Sequence, residues 1–206
     1  MKCTSDAAGS FTVPAKKMLE ICNALSAHNE LKLAVKESKV DITAGKSKVS
    51  LQTLPATDYP IMDGAVENNT VNIELEELQN IINKTSFAMA YQDARHFLNG
   101  LHVCNDKGKI ISVCTDGHRL AKYTSTVDFD NDLSIIIPRK CVIELNRILG
   151  SFTDNKDHLA ELIINKNSIC LKLGEYIIIS KLIEGNYPNF NKVIPENTKS
   201  KISIDR

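Results

Sequence analysis

The sequence has no tryptophan, few aromatics and no net charge, and each shortage removes a class of protein. Aromatic residues make up 5% of the 206, so any core must be aliphatic, built from Ile, Leu and Val. At 43% hydrophobic the chain can bury such a core, which excludes a disordered tail. Lys and Arg together number 25, as do Asp and Glu. A protein that grips nucleic acid tightly through its phosphates carries a basic excess. The balance here argues against a tight, sequence-reading DNA binder and leaves room for loose contact through one local surface. No apolar run reaches the length of a membrane span and no secretory leader is visible, so a cytoplasmic, non-membrane protein is expected. The six cysteines (Cys3, Cys22, Cys104, Cys114, Cys141 and Cys170) include no Cys-x-x-Cys pair. Zinc sites need closely spaced ligand pairs, so no metal and no cofactor is expected. Several cysteines lie in apolar stretches such as IISVC and SICLKL, and they read as buried, reduced thiols.

What the sequence does have is internal repetition. SLQTLPATDYPIM at 50–62 and IISKLIEGNYPNF at 178–190 lie 128 residues apart. Each reads as a strand, a short polar turn, then Tyr-Pro and a further apolar residue. A first module, Phe11 to Pro60, opens with the short strand FTVPA. The amphipathic helix KKMLEICNALS follows, with Met18, Ile21, Cys22 and Leu25 at helical spacing. Three strands come next, alternating at Leu31, Leu33 and Val35 and again at Val40 and Ile42. The third module, Leu133 to Pro188, repeats the order. Its strand LSIIIPRK leads to Pro138, read as opening a helix that Gly150 ends. Three strands then turn at Asn165–Asn167 and Leu173–Glu175. The second module supplies a strand and a helix in VNIELEELQNIINKTSFAMA, with Leu75, Leu78, Ile81 and Ile82 on one face. Its three strands include a hairpin turn at Asp106–Lys107–Gly108. The chain therefore reads as three copies of a βαβββ unit in an α+β fold, helices on one face of antiparallel sheets. Lys201–Arg206 reads as the opening strand of a fourth copy. Modules two and three pair into one domain, and module one reads as half of another.

Four segments make the pattern specific: TDGHRLA (Thr115–Ala121), QDARHFLNG (Gln92–Gly100), IIIPRKCVIELNRIL (Ile135–Leu149) and SKLIEGNYPNFNKVIP (Ser180–Pro195). In this order and spacing the chain resembles the bacterial β sliding clamp family, the β subunit of DNA polymerase III. The resemblance runs from about Phe11 to Arg206. It implies a DNA-clamp fold of three similar domains, each made of two βαβββ halves. On that reading residues 1–66 are the C-terminal half of the first domain and 67–195 the complete middle domain. Residues 196–206 are then a linker and the first strand of a truncated third domain. The resemblance further implies a head-to-tail homodimer ring around duplex DNA, a non-catalytic processivity subunit that tethers the polymerase. The alternative is a truncated fragment that acts only as a peptide-docking module and cannot close a ring.

The helix charges bear on the ring. Helix three carries Arg139, Lys140 and Arg147 against Glu144, and helix one carries Lys16 and Lys17 against Glu20. Helix two runs the other way, with Glu74, Glu76 and Glu77 against Lys84, the acids sitting where the helix dipole favours them. A clamp is retained by topology, so weak phosphate contacts suffice. By resemblance, the DNA-facing residues are Lys16, Gln92, His96, Phe97, Arg139 and Lys140. The resemblance also implies a cleft that takes short apolar linear motifs of the polymerase catalytic subunit and the clamp loader. Its positions here are Leu98, Thr115, Gly117, His118, Arg119, Leu120, Pro188, Lys192 and Val193. An apolar floor with a few polar groups suits a peptide anchor.

Two chemical alternatives fail on their residues. Asp116 and His118 have no third convergent group, such as a nucleophile or a second ligand pair, so no catalytic site is expected. Ala44–Ser47 (AGKS) resembles the end of a phosphate-binding loop, but the earlier Gly is absent and a strand follows it instead of a helix.

Overall fold

A computed structural model describes residues 4–25, 30–60, 70–152 and 159–195. The chain divides into two units, Met1–Met62 and Asp63–Arg206. Among the described residues no helix is long and apolar enough to cross a membrane. The fourth-copy strand expected at Lys201–Arg206 lies outside the described residues.

In the first unit, β1 (Phe11–Thr12) leads to α1 (Ala15–Ala24), then β2 (Lys32–Lys36), β3 (Lys39–Ala44), β4 (Ser47–Gln52) and β5 (Leu54–Pro55). β2, β3 and β4 form an antiparallel meander, and β1 pairs separately with β5. Alternation along β3 sends Val40, Ile42 and Ala44 to one face, where Ile42 and Ala44 pack with Leu25, Met18 and Ile21 of the helix segment. The opposite face centres on Asp41. Its carboxylate takes the Lys36 ammonium at 2.8 Å, Lys48 at 3.5 Å and the Ser50 hydroxyl. Those partners hold its carboxyl far below the usual range.

The second unit holds the other two modules. β6 (Thr70–Glu74), α2 (Leu75–Asn83), β7 (Gly100–Asp106), β8 (Lys109–Thr115) and β9 (Leu120–Asp128) make one. β10 (Ser134–Pro138), α3 (Arg139–Leu149), β11 (Leu159–Ile164), β12 (Ser168–Leu173) and β13 (Tyr176–Lys181) make the next. Their sheets run β10-β7-β8-β9 and β13-β12-β11-β6. Each module thus gives its first strand to the other module's sheet. Ile137 pairs with Leu101, and Ile73 with Ala160. Neither module can complete its sheet alone, which locks the two into one domain.

The helices cover the inner faces. α2 buries Leu75, Leu78, Ile81 and Ile82, and α3 buries Cys141, Val142, Leu145 and Leu149. These side chains share one aliphatic core with both sheets. Each such side chain taken fully out of water contributes about 1.5–3 kcal/mol. Two details differ from the sequence reading. Pro138 is the last residue of β10 with extended ψ, and α3 begins after it. Gly150 ends α3 in right-handed geometry, so it closes the helix without the left-handed turn that favours glycine. Glu77 does stand in the first turn of α2. It is buried, and its carboxylate accepts the Thr126 amide at 2.8 Å and the Tyr123 hydroxyl at 3.2 Å. Cys104, Cys114, Cys141 and Cys170 are buried free thiols and Cys22 is half-buried. Cys3 lies outside the described residues.

Candidate functional site

A cleft of about 880 Å³ opens on the second unit between the end of β8, the start of β9, the 96–98 turn and the segment 187–195. Its floor is apolar, from Leu98, Leu120, Phe190 and Pro188. All the expected cleft positions line it except Lys192. The reason lies in the single 3-10 turn Phe190–Lys192. With three residues per turn, positions 190 and 193 share one side and 192 faces elsewhere. Phe190 and Val193 line the cleft, and Lys192 is exposed away from it.

The turn between β8 and β9 is self-satisfied. Thr115 Oγ1 donates to the Arg119 carbonyl at 2.7 Å and accepts the Gly117 amide at 3.1 Å. Asp116 accepts the His118 and Arg119 amides at 2.9 and 3.0 Å and the Arg119 Nε at 3.0 Å. Those donors, the two backbone amides first, hold the Asp116 carboxyl down at about 2. Three of its roughly four acceptor sites are thus engaged within the turn. Gly117 has φ +90, and a Cβ there would lie 3.0 Å from the Arg95 guanidinium. The residue is fixed by conformation and by close approach together. Arg95 is itself held, with Nε and Nη2 on Asp93 at 3.0 and 2.7 Å and Nη2 on the Asp116 carbonyl at 3.3 Å. Asp93 is accordingly lowered to about 2, chiefly by Arg95.

The far wall is aromatic. His102, buried on β7, stacks on Tyr187 with centroids 4.4 Å apart and planes 7° apart, and meets Phe190 edge-on at 6.2 Å. Its Nδ1 lies 3.2 Å from the Ile135 carbonyl oxygen, which fixes the Nδ1–H tautomer of the neutral ring. Burial pushes its pKa down. Beside this wall the Lys122 ammonium sits 5.3 Å from the Phe190 ring centroid.

The residues expected to face DNA are divided between the two units. Lys16 is exposed on α1 of the first unit. In the second unit Gln92 is exposed at φ 54, a left-handed geometry uncommon outside glycine, in a loop pinned by Asn99. Asn99 takes the Asp93 amide at 3.0 Å and gives its own amide to the Asp93 carbonyl at 2.8 Å. His96 is exposed in the same region and meets Phe97 edge-on at 5.9 Å. Phe97 also lines the cleft. Arg139 is half-buried, donates to the Met89 carbonyl at 3.2 Å and lies over the Tyr91 ring at 5.5 Å. Lys140 next to it is exposed.

Sequence reasoning missed Arg95, Lys122, Thr124, Tyr187, Asn189, Phe190, Ile194 and Pro195 in the cleft lining. For two of them a signal existed. Leu120, Lys122 and Thr124 are two apart on β9, so placing Leu120 in the cleft places the others on the same face. Arg95 has no such local signature.

Comparison with known proteins follows this geometry. The family described as DNA polymerase III beta subunit, central domain, matches residues 72–189, and the N-terminal domain of the same subunit matches 1–63. The beta sliding clamp of Pseudomonas putida is 34% identical over 200 residues, covering 96% of this chain and 53% of the relative. That of Haemophilus influenzae is 36% identical over 192 residues, covering 92% and 51%. The crystal structure of the DNA polymerase III subunit beta from Pseudomonas aeruginosa has a TM-score of 0.81 at 35% identity, over 95% of this chain and 53% of that one. The chain thus spans about half the length of the curated relatives it matches.

Proposed function

This chain belongs to the DNA polymerase III beta subunit family, and from that premise we propose that it serves in a sliding clamp that docks partners through the cleft on its second unit. The relatives it matches are named beta sliding clamps. In this reading residues 1–66 are half of a first domain, 67–195 a complete middle domain and 196–206 the entry to a third. Two full chains close as a ring around duplex DNA, and the polymerase and clamp loader attach by short apolar peptide segments. The work is tethering, with no bond made or broken by the chain.

The observation that carries the docking reading is the cleft itself. An apolar floor, a turn whose polar groups are already satisfied and a stacked aromatic wall form a pre-built receptor for large apolar side chains. On the DNA side, Arg139 spends guanidinium donors on the Met89 and Ala90 carbonyls. Its role in this reading is to brace the segment before Gln92, while Lys140, Lys16, Gln92 and His96 offer exposed groups to phosphates. Near-zero net charge suits contacts loose enough to slide.

The test is fluorescence anisotropy with a labelled polymerase-tail peptide and a Val193→Asp variant. Val193 is 67% exposed, so the substitution leaves the fold intact while placing a charge in the cleft; Leu98, at 2% exposed, would not permit that. Micromolar binding that weakens at least about tenfold in the variant is the expected result. Equal binding by both proteins would remove the cleft from the reading.

A further inference from the structure

The cations that line the cleft are unequally committed. Arg95 is paired with Asp93 at 2.7 Å and Arg119 with Asp116 at 3.0 Å. Lys122 also lines the cleft, yet among the described residues no carboxylate lies within ion-pair distance of it. Among the described residues no Asp or Glu lines the cleft. The ammonium rests over the Phe190 ring at 5.3 Å. That ring is itself fixed, because Phe190 packs with Cys104, Ile111 and Val113 and meets His102 edge-on. On β9, Lys122 projects from the same face as Leu120, next to the apolar floor.

This arrangement places one uncompensated positive charge beside the surface that would take an apolar anchor. An aromatic face attracts a cation but does not neutralise it. A peptide carboxylate arriving there meets a charge already held in place and partly shielded from water by the anchor, so the pairing costs little ordering. A peptide cation in the same register would meet repulsion.

We propose that the cleft selects peptides carrying a carboxylate close to their apolar anchor, and that Lys122 is the specificity-determining residue that reads it. The inference rests on the docking reading and adds the charge of the ligand to it. Arg95 and Arg119 differ from Lys122 in that each is already paired with a carboxylate.

The experiment uses the whole 206-residue chain and a set of six-residue labelled peptides. Each carries two adjacent large apolar residues and, at one of the remaining positions, either Glu or Gln. Anisotropy titrations are run for the parent chain and for Lys122→Gln. In at least one register the parent binds the Glu peptide about two- to fivefold more tightly than its Gln twin, the range of a solvent-touched ion pair. That preference shrinks in 0.5 M salt, as screening requires on the order of a 4 Å Debye length there. In Lys122→Gln the ratio falls to about one. A Glu preference that persists in Lys122→Gln, or none in any register of the parent, overturns the assignment of Lys122 and leaves docking standing. Failure of every peptide to bind the parent overturns docking and this proposal together.

Discussion

Removing the Glu77 carboxylate tests how the second unit fastens its helix to an open sheet edge. β9 is the outer strand of its sheet, so its outward amides lack a neighbouring strand. Glu77 reaches from α2 to accept the Thr126 amide at 2.8 Å, and it also takes the Tyr123 hydroxyl at 3.2 Å. Burial alone would raise its pKa. The hydrogen bonds from Ser125, Thr126 and Tyr123 outweigh that and leave it lowered. Hydrogen bonds to a charged group contribute about 1.5–3 kcal/mol. Glu77→Ala therefore costs about 2 kcal/mol, and Glu77→Gln, which keeps one acceptor for Thr126, about 1 kcal/mol. Urea unfolding followed by circular dichroism reads both as shifts in midpoint at constant slope. A pH series gives the sign. The folded carboxyl binds its proton less readily than the unfolded one, so the stabilisation is complete above the ordinary Glu pKa of about 4.3 and drains away as pH falls through the lower folded value. The parent's advantage over Glu77→Gln should thus be flat from neutral pH down to about 5 and shrink below it. Variants within about 0.5 kcal/mol of the parent at pH 7 would refute the strut, as would an advantage that grows on acidification.

Two further outcomes follow from packing and burial. Gly100→Ala would put a Cβ 2.6 Å from the Ile137 carbonyl oxygen and 2.7 Å from Ile136 Cγ2. Because the first is backbone in a paired strand, the clash cannot be relieved by a rotamer, and thermal unfolding should show a loss of about 2 kcal/mol or more. Burial pushes the Cys104 thiol to about 11 and the Cys114 thiol to about 12. At pH 8 their alkylation, read by mass spectrometry of the digested chain, should run at least about 100-fold slower than that of an ordinary exposed thiol of pKa about 8.5. In 8 M urea the difference should vanish. Cys22, only half-buried, should be labelled ahead of both.

How much of this was legible before the fold was seen depends on the range of each interaction. The repeated βαβββ order was readable because alternation and helical spacing are local. Leu75, Leu78, Ile81 and Ile82 fall on the buried face that their spacing predicts. The exchange of first strands between the two modules was not readable. β6 and β10 carry the same apolar alternation whether they pair within their own module or across to the other. Pairing there is decided by the joint burial of two sheets, which no window of sequence contains. The cleft shows the same division. TDGHR is a local motif in which Thr115 and Asp116 bond groups of the same turn. The His102–Tyr187 stack joins residues far apart in the chain, and no spacing announces it. Arg139 makes the point at a single side chain. The resemblance names it as DNA-facing, and the fold adds what the sequence could not, that one guanidinium nitrogen donates to the Met89 carbonyl. A helix with Lys140 exposed beside a half-buried Arg139 presents fewer exposed cationic donors than its sequence counts. Charge left without a carboxylate separates Lys122 from the two arginines at the cleft, and exposure separates Lys140 from Arg139 on the helix. Both become visible only once each cation's surroundings have been located.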